Sequence, residues 1–158
     1  MSDAADRPGI VAPPPLLTLV AIGLGLALEH LKPLPLMPAE WVWGRVGGAV
    51  ALLLVAMALF LAAVREMQRH RTTPNPYQPS TAVVSTGVFA RTRNPIYVAF
   101  LLIVAAIAVG VDSAWLLVAL LALLATLQLG VVRREERYLA AKFGAPYDEY
   151  RRRVRRWL

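Results

Sequence analysis

The stretch IYVAFLLIVAAIAVGVDSAWLLVALLALLATLQLGVV, residues 96–132, decides the fold. Asp112 is its one charged residue, and it sits beside Gly110 and Ser113, a group suited to a tight reversal. On either side lie apolar runs at 96–111 and 114–132, and two more such runs occur at 16–31 and 46–64. Each is 16 to 19 residues long, against the roughly 20 that carry a helix across a bilayer core. Hydrophobic residues make up 58% of the 158-residue chain and the mean hydropathy is +0.54, more apolar than ordinary soluble domains, which sit nearer half. The expected fold is all-α and integral to a membrane: four transmembrane helices with a C-terminal helical cap on the cytoplasmic side.

Charge sorts the segments between the spans. One basic residue, Arg7, precedes the first span, and Lys32 and Arg45 occupy the first loop. The second loop holds Arg65, Arg69, Arg71, Arg91 and Arg93, the third holds none, and nine basic residues follow from Arg133 onward. Loops rich in Lys and Arg stay in the cytoplasm, which places the second loop and both termini there. A bacterial-type inner membrane is the default expectation. The net charge of +7 then reflects topology and affinity for anionic headgroups, and nucleic acid is not an expected partner. The absence of cysteine excludes disulfides, thiolate metal sites and a cysteine nucleophile, and no metal is expected. Asp3 and Asp6 stand where a signal peptide would carry basic residues, so none is expected.

The chain divides into an N-terminal two-span region, 1–71, and a half richer in chemistry, 72–158, within one structural domain. The second half opens with TTPNPYQPSTAVV, where Pro74, Pro76 and Pro79 forbid a helix and favour a stiff extended connection. The last long helix has no breaker before Gly144, so it runs out of the membrane, and a short Arg-rich helix follows at about 146–154.

Two polar groups interrupt the apolar pattern. STGVFARTRNPIYVAF, residues 85–100, packs Arg91, Arg93, Asn94 and Pro95 against the start of the third span. Asn94 suits a helix N-cap and Pro95 a first helical position. Glu135 and Glu136 lie at the cytoplasmic end of the fourth span. Solvated ion pairs with neighbouring arginines would account for them at about 0.3 to 0.5 kcal/mol each. Gln128, however, precedes Glu135 by nearly two turns on one helical face, and a Gln within a span belongs in the bundle interior. Because the third and fourth spans form a hairpin, the two polar groups are expected to meet at one cytoplasmic level. A helix start suits a carboxylate or phosphate, and the acids suit an ammonium or ribose hydroxyls. S-adenosylmethionine combines these features.

The same residues, with EERYLAAKFGAPYDEYRRRV at 135–154, resemble the catalytic half of the isoprenylcysteine carboxyl methyltransferase family, which is grouped with membrane phospholipid methyltransferases. Gly87, Arg93, Pro95, Tyr97, Glu135, Glu136, Phe143, Gly144, Tyr147 and Tyr150 match its pattern in order, over about residues 72–158. The resemblance implies that Thr81, Ala82, Val83 and Val84 meet the cofactor largely through backbone, with Gly87 and Phe89 beside it. It implies that Asn94, Pro95, Ile96 and Tyr97 close around its methionine end, that Glu135 binds from the opposite side, and that Tyr147 and Tyr150 cap the pocket. Arg93, Glu135 and Glu136 are the implied catalytic residues, Arg93 steering an anionic acceptor or fixing the acids. Three positions depart from the pattern: Asn94 replaces a His, although phospholipid N-methyltransferases also show Asn-Pro-x-Tyr; Ala99 replaces a Gly; and Val131 stands where prenylcysteine enzymes place a substrate-contacting Arg.

The expected function is S-adenosylmethionine-dependent methyl transfer, yielding S-adenosylhomocysteine, to a lipid or lipophilic acceptor in the membrane. The expected activity is carboxyl O-methyltransferase-like, with a phospholipid N-methyltransferase and a non-enzymatic membrane scaffold as the alternatives. Oligomeric state and the acceptor's identity are not legible.

Overall fold

The computed structural model describes residues 9–75 and 78–158; Asp3, Asp6, Arg7 and Pro76 therefore lie outside the described residues. Among those described there is no β-strand, only an isolated parallel bridge between Thr92 and Arg155. Helix α1 spans Pro14–Leu31, with prolines in its first turn, where a missing N–H costs nothing. A 3-10 turn, Ala39–Trp41, leads into α2, Val42–Arg69. Helix α2 ends where Arg71 adopts a left-handed conformation (φ 53°) and the Thr72 N–H returns to the Met67 carbonyl at 3.0 Å. After an irregular stretch and a second 3-10 turn, Gly87–Ala90, comes α3, Pro95–Val111.

The reversal falls where the sequence places it. Asp112 takes up φ 64°, the Ser113 N–H closes onto the Ala108 carbonyl at 2.9 Å, and the Ser113 hydroxyl caps α4, Ala114–Leu127. The last long helix is unbroken to Gly144, as expected, but it is not uniform. A π-helical turn, Gln128–Val132, separates α4 from α5, Arg133–Phe143. Gly144 (φ 60°) breaks the chain and α6, Ala145–Arg153, follows.

Packing order differs from chain order. Helix α1 lies against α4 and α2 lies against α3, with α3 and α4 joined as a hairpin between them. Gly25 makes the first contact possible, since a Cβ there would meet the Leu116 side chain at 2.5 Å. Gly23 and Gly47, by contrast, face open space. One core cluster gathers Ala21, Val104, Leu123, Leu127 and Val131, and a second gathers Ala63, Val84, Phe89, Tyr147 and Tyr150. Outside these clusters the helices present Leu19, Leu24, Leu54, Val55, Val118 and Leu121 outward. So much exposed apolar surface is what a bilayer covers.

Three helices are long and apolar enough to cross a membrane, Pro14–Leu31, Ala39–Arg69 and Ala114–Phe143. The fourth expected span, α3, is apolar but has only 17 residues, roughly 25 Å at 1.5 Å per residue.

Candidate active site

A cavity opens between the 72–84 stretch, the start of α3, α5 and α6. Its interior has a volume of about 140 Å³ and opens at one side. Of the residues singled out in the sequence, Ala82, Val83, Val84, Phe89, Arg93, Asn94, Pro95, Ile96, Tyr97, Glu135, Glu136, Tyr147 and Tyr150 all line it. Two do not. Thr81 closes the base of the loop instead, its hydroxyl donating to the Arg71 carbonyl at 2.8 Å and its N–H to the Thr72 hydroxyl at 3.3 Å. Gly87 stands behind the wall in a left-handed conformation (φ 58°), where a Cβ would come within 3.0 Å of the Glu66 carboxylate. That carboxylate also accepts the Thr86 hydroxyl and pairs with Arg69 at 3.3 Å, so Gly87 serves the seating of the 87–90 turn on α2.

The acids turn inward rather than toward the arginines beside them. The Tyr97 hydroxyl donates to Glu135 Oε1 at 2.7 Å. Arg156 grips Glu136 with both ends of its fork, Nε to Oε1 and Nη2 to Oε2, each at 2.8 Å. Arg93 Nη1 stands 3.2 Å from Glu136 Oε1. Of the flanking arginines, Arg134 donates to the Gly9 carbonyl at 2.7 Å, Arg137 to the Arg133 carbonyl at 3.3 Å, and Arg151 pairs with Asp148 at 3.0 Å. The solvated-pair account of the acids is therefore set aside.

The π-helical turn sets which face of α5 the two acids occupy. It shifts the helical register between Gln128 and Glu135, so the simple one-face spacing does not hold. Val131 and Val132, within the turn, are both fully buried. Gln128 instead accepts the Trp157 indole N–H at 2.9 Å, and the Gly130 carbonyl receives the Val11 N–H at 3.2 Å. Such turns recur at functional sites. The lone signal for it in the sequence is Gly130 within a helix.

Asn94 occupies the N-cap position but makes no side-chain cap. Its amide donates to the Arg156 carbonyl at 2.8 Å. The Arg93 N–H donates to the Arg155 carbonyl at 2.9 Å, and the Tyr150 hydroxyl to the Phe89 carbonyl at 2.8 Å. The cap on α3 expected of Asn94 is thus replaced by a bond to the C-terminal tail. Burial, with the Glu136 charge adding to it, pushes the Tyr147 phenol up to about 12, Arg93 opposing. Both Tyr147 and Tyr150 hence remain protonated at neutral pH, Tyr150 being raised chiefly by burial as well.

The sequence did not single out one whole wall. Met67, Thr72, Thr73, Pro74, Asn75, Gln78 and Ser80 line the cavity, with Tyr138 and Leu139 of α5 opposite. The Ser80 N–H donates to the Tyr138 hydroxyl at 3.2 Å, which pins the loop to α5. The density of Thr, Asn, Gln and Ser among the prolines was the available signal. Arg156 was missed altogether.

A protein-family model described as phospholipid methyltransferase matches residues 45–146. That interval runs from the start of α2 into α6 and takes in nearly the whole cavity wall. No curated protein and no solved structure matches the chain.

Proposed function

The chain belongs to the phospholipid methyltransferase family, an integral-membrane methyltransferase, and from that premise we propose that it transfers a methyl group from S-adenosylmethionine to the amine headgroup of a phospholipid. The observation that carries this reading is the convergence of Glu135, Glu136, Arg93 and Tyr97 on one cavity inside a family whose chemistry is methyl transfer.

The residues present fit the cofactor. Arg93 Nε and Nη1 are buried without a hydrogen-bond partner, an arrangement suited to a carboxylate. Glu135 suits an ammonium or a ribose, and Val84, Phe89 and Ile96 offer apolar surface for a base. Bound there, S-adenosylmethionine supplies a methyl group activated by its sulfonium. The chain's own contribution is positioning and exclusion of water. Replacing an N–H by N–CH3 releases one proton, and the Glu135 carboxylate is the nearest group to take it. Tyr97 fixes that carboxylate through its hydroxyl.

The topology that serves this function has four spans, with α3 the shortest. The second loop and both termini are cytoplasmic by the distribution of Lys and Arg, and α5 and α6 cap the cavity on that side of a bacterial-type inner membrane. Residues 72–158 form the catalytic half, and the acceptor enters laterally from the bilayer. Methylation of a lipophilic carboxylate is the second reading. It is favoured by the same free Arg93 nitrogens, and such an acceptor needs no base.

Calorimetric titration of the detergent-purified protein with S-adenosylhomocysteine tests the site. Micromolar binding that Glu135→Ala abolishes is the expected result, followed by labelled methyl groups appearing on phosphatidylethanolamine. A folded protein that binds no S-adenosylhomocysteine would sink the proposal in favour of a scaffold.

A further inference from the structure

The residues beyond α6 lie outside the family match, which stops at residue 146, and outside the cavity wall. They nonetheless brace both halves of the site. Thr92 and Arg155 form the isolated bridge, Asn94 donates to the Arg156 carbonyl, and Trp157 donates to Gln128. Trp157 also packs on the cluster that includes Tyr97 and Leu101.

Two guanidinium groups, Arg93 and Arg156, face the one carboxylate of Glu136, and the geometry gives that carboxylate to Arg156. Its bidentate fork takes one N–H onto each oxygen at 2.8 Å, the strong form of this pairing. Arg93 is within 3.2 Å, yet its Nε and Nη1 have no hydrogen-bond acceptor. The Arg93 side chain is only 9% exposed and lines the cavity. The other nearby acid, Glu135, accepts from Tyr97, and Tyr147 alongside is a neutral phenol. A buried guanidinium with unmet donors is costly until an anion reaches it.

We infer that Arg156 is a positioning residue: by holding both oxygens of Glu136 it leaves Arg93 Nε and Nη1 without a hydrogen-bond acceptor, and Arg93 is thereby the receptor for an anionic group, carboxylate or phosphate, of the molecule held in the cavity. This rests on the proposed function. Two sources carry that chemistry, the amino-acid end of the cofactor and the phosphate of the phospholipid acceptor.

The test compares the full-length wild type, Arg156→Gln, Arg156→Gln/Glu136→Gln and Arg93→Gln. Each is titrated with S-adenosylhomocysteine, with methylthioadenosine (the same nucleoside without the amino-acid end) and with a short-chain phosphatidylethanolamine. In Arg156→Gln the released Glu136 turns onto Arg93, and binding of the anion-bearing probe weakens by about 10-fold or more, as loss of a charged hydrogen bond dictates. Methylthioadenosine binding stays unchanged. Removing the competing carboxylate in the double variant restores the affinity, and Arg93→Gln weakens the same probe at least as far as Arg156→Gln does. Weakening confined to S-adenosylhomocysteine identifies the cofactor carboxylate as the anion; weakening confined to the phospholipid identifies the phosphate. Either upholds the inference. A double variant as weak as the single one makes the tail a mere brace and overturns it, as does unchanged binding of both anionic probes. Failure of the wild type to bind either nucleoside strikes the proposed function instead, and the phospholipid titration then decides the role of Arg93 by itself.

Discussion

Asn94 shows how a residue can be legible in place and illegible in partner. Its position before Pro95 marks the start of α3, and α3 does start at Pro95. Its amide, however, meets the carbonyl of a residue 62 positions away, a contact no local rule can foresee. The acids divide in the same way. Their place at the end of the long helix is plain in the sequence, and so is the hairpin that brings them beside Arg93 and Asn94. Arg156 is invisible because it is one arginine among five in RRRVRR, and only tertiary packing selects it. Asn94→Ala is expected to lower stability by about 1 kcal/mol, a typical net value for one hydrogen bond. The loss is held there because the Thr92 hydroxyl also donates to the Arg156 carbonyl, at 3.3 Å. Thermal unfolding in detergent measures it, and an unchanged midpoint would mean the bond contributes nothing.

At the scale of the element, the apolar runs locate the helices but not their winding. Hydrophobic periodicity assumes a constant turn, and in a span where nearly every residue is apolar there is no pattern to reveal a π-helical one. The Gln128–Val132 turn decides where α5 points. Deleting Leu129, which is 57% exposed, should remove the extra residue that the π-helical turn holds, returning it to ordinary winding with α5 still facing the cavity. One alanine inserted after Arg133, beyond the turn, should instead rotate the rest of α5 by about 100° and take Glu135 and Glu136 away from Tyr97, Arg93 and Arg156. The expected outcome is two helical proteins, by circular dichroism, of which the deletion binds S-adenosylhomocysteine and the insertion does not. Binding retained by both would show that the register of α5 does not set the site.

Across the whole molecule, the all-helical, apolar character follows from composition, whereas the pairing of α1 with α4 does not. Apolar faces are interchangeable in pattern, and the choice depends on fine shape such as the close approach at Gly25. The end remote from the cavity is held by Asp112. One of its oxygens accepts the Leu36 and Met37 N–H groups at 2.9 Å each, while the other pairs with Arg45. Burial works to raise its carboxyl, but these partners outweigh that and hold it below the ordinary carboxylate range. A carboxyl lowered on folding stabilises above its unfolded value, near pH 4, and the contribution is lost as pH falls through the folded value. The wild type should therefore lose thermal stability below about pH 4, and Asp112→Asn should melt lower at neutral pH with a flatter acid dependence. Identical acid profiles for the two proteins would remove Asp112 from this role.

The shortness of α3 has a consequence for depth. On the proposed four-span topology, its roughly 25 Å falls about 5 Å short of a hydrocarbon layer of roughly 30 Å. With the Asp112 reversal held at the far boundary, the start of α3 lies beneath the near one. Arg93 and the floor of the cavity then sit sunk among the lipid glycerols rather than above the phosphates. A lipid could be modified there without being lifted from its leaflet, and the protein would do its work by lowering the water line to the substrate.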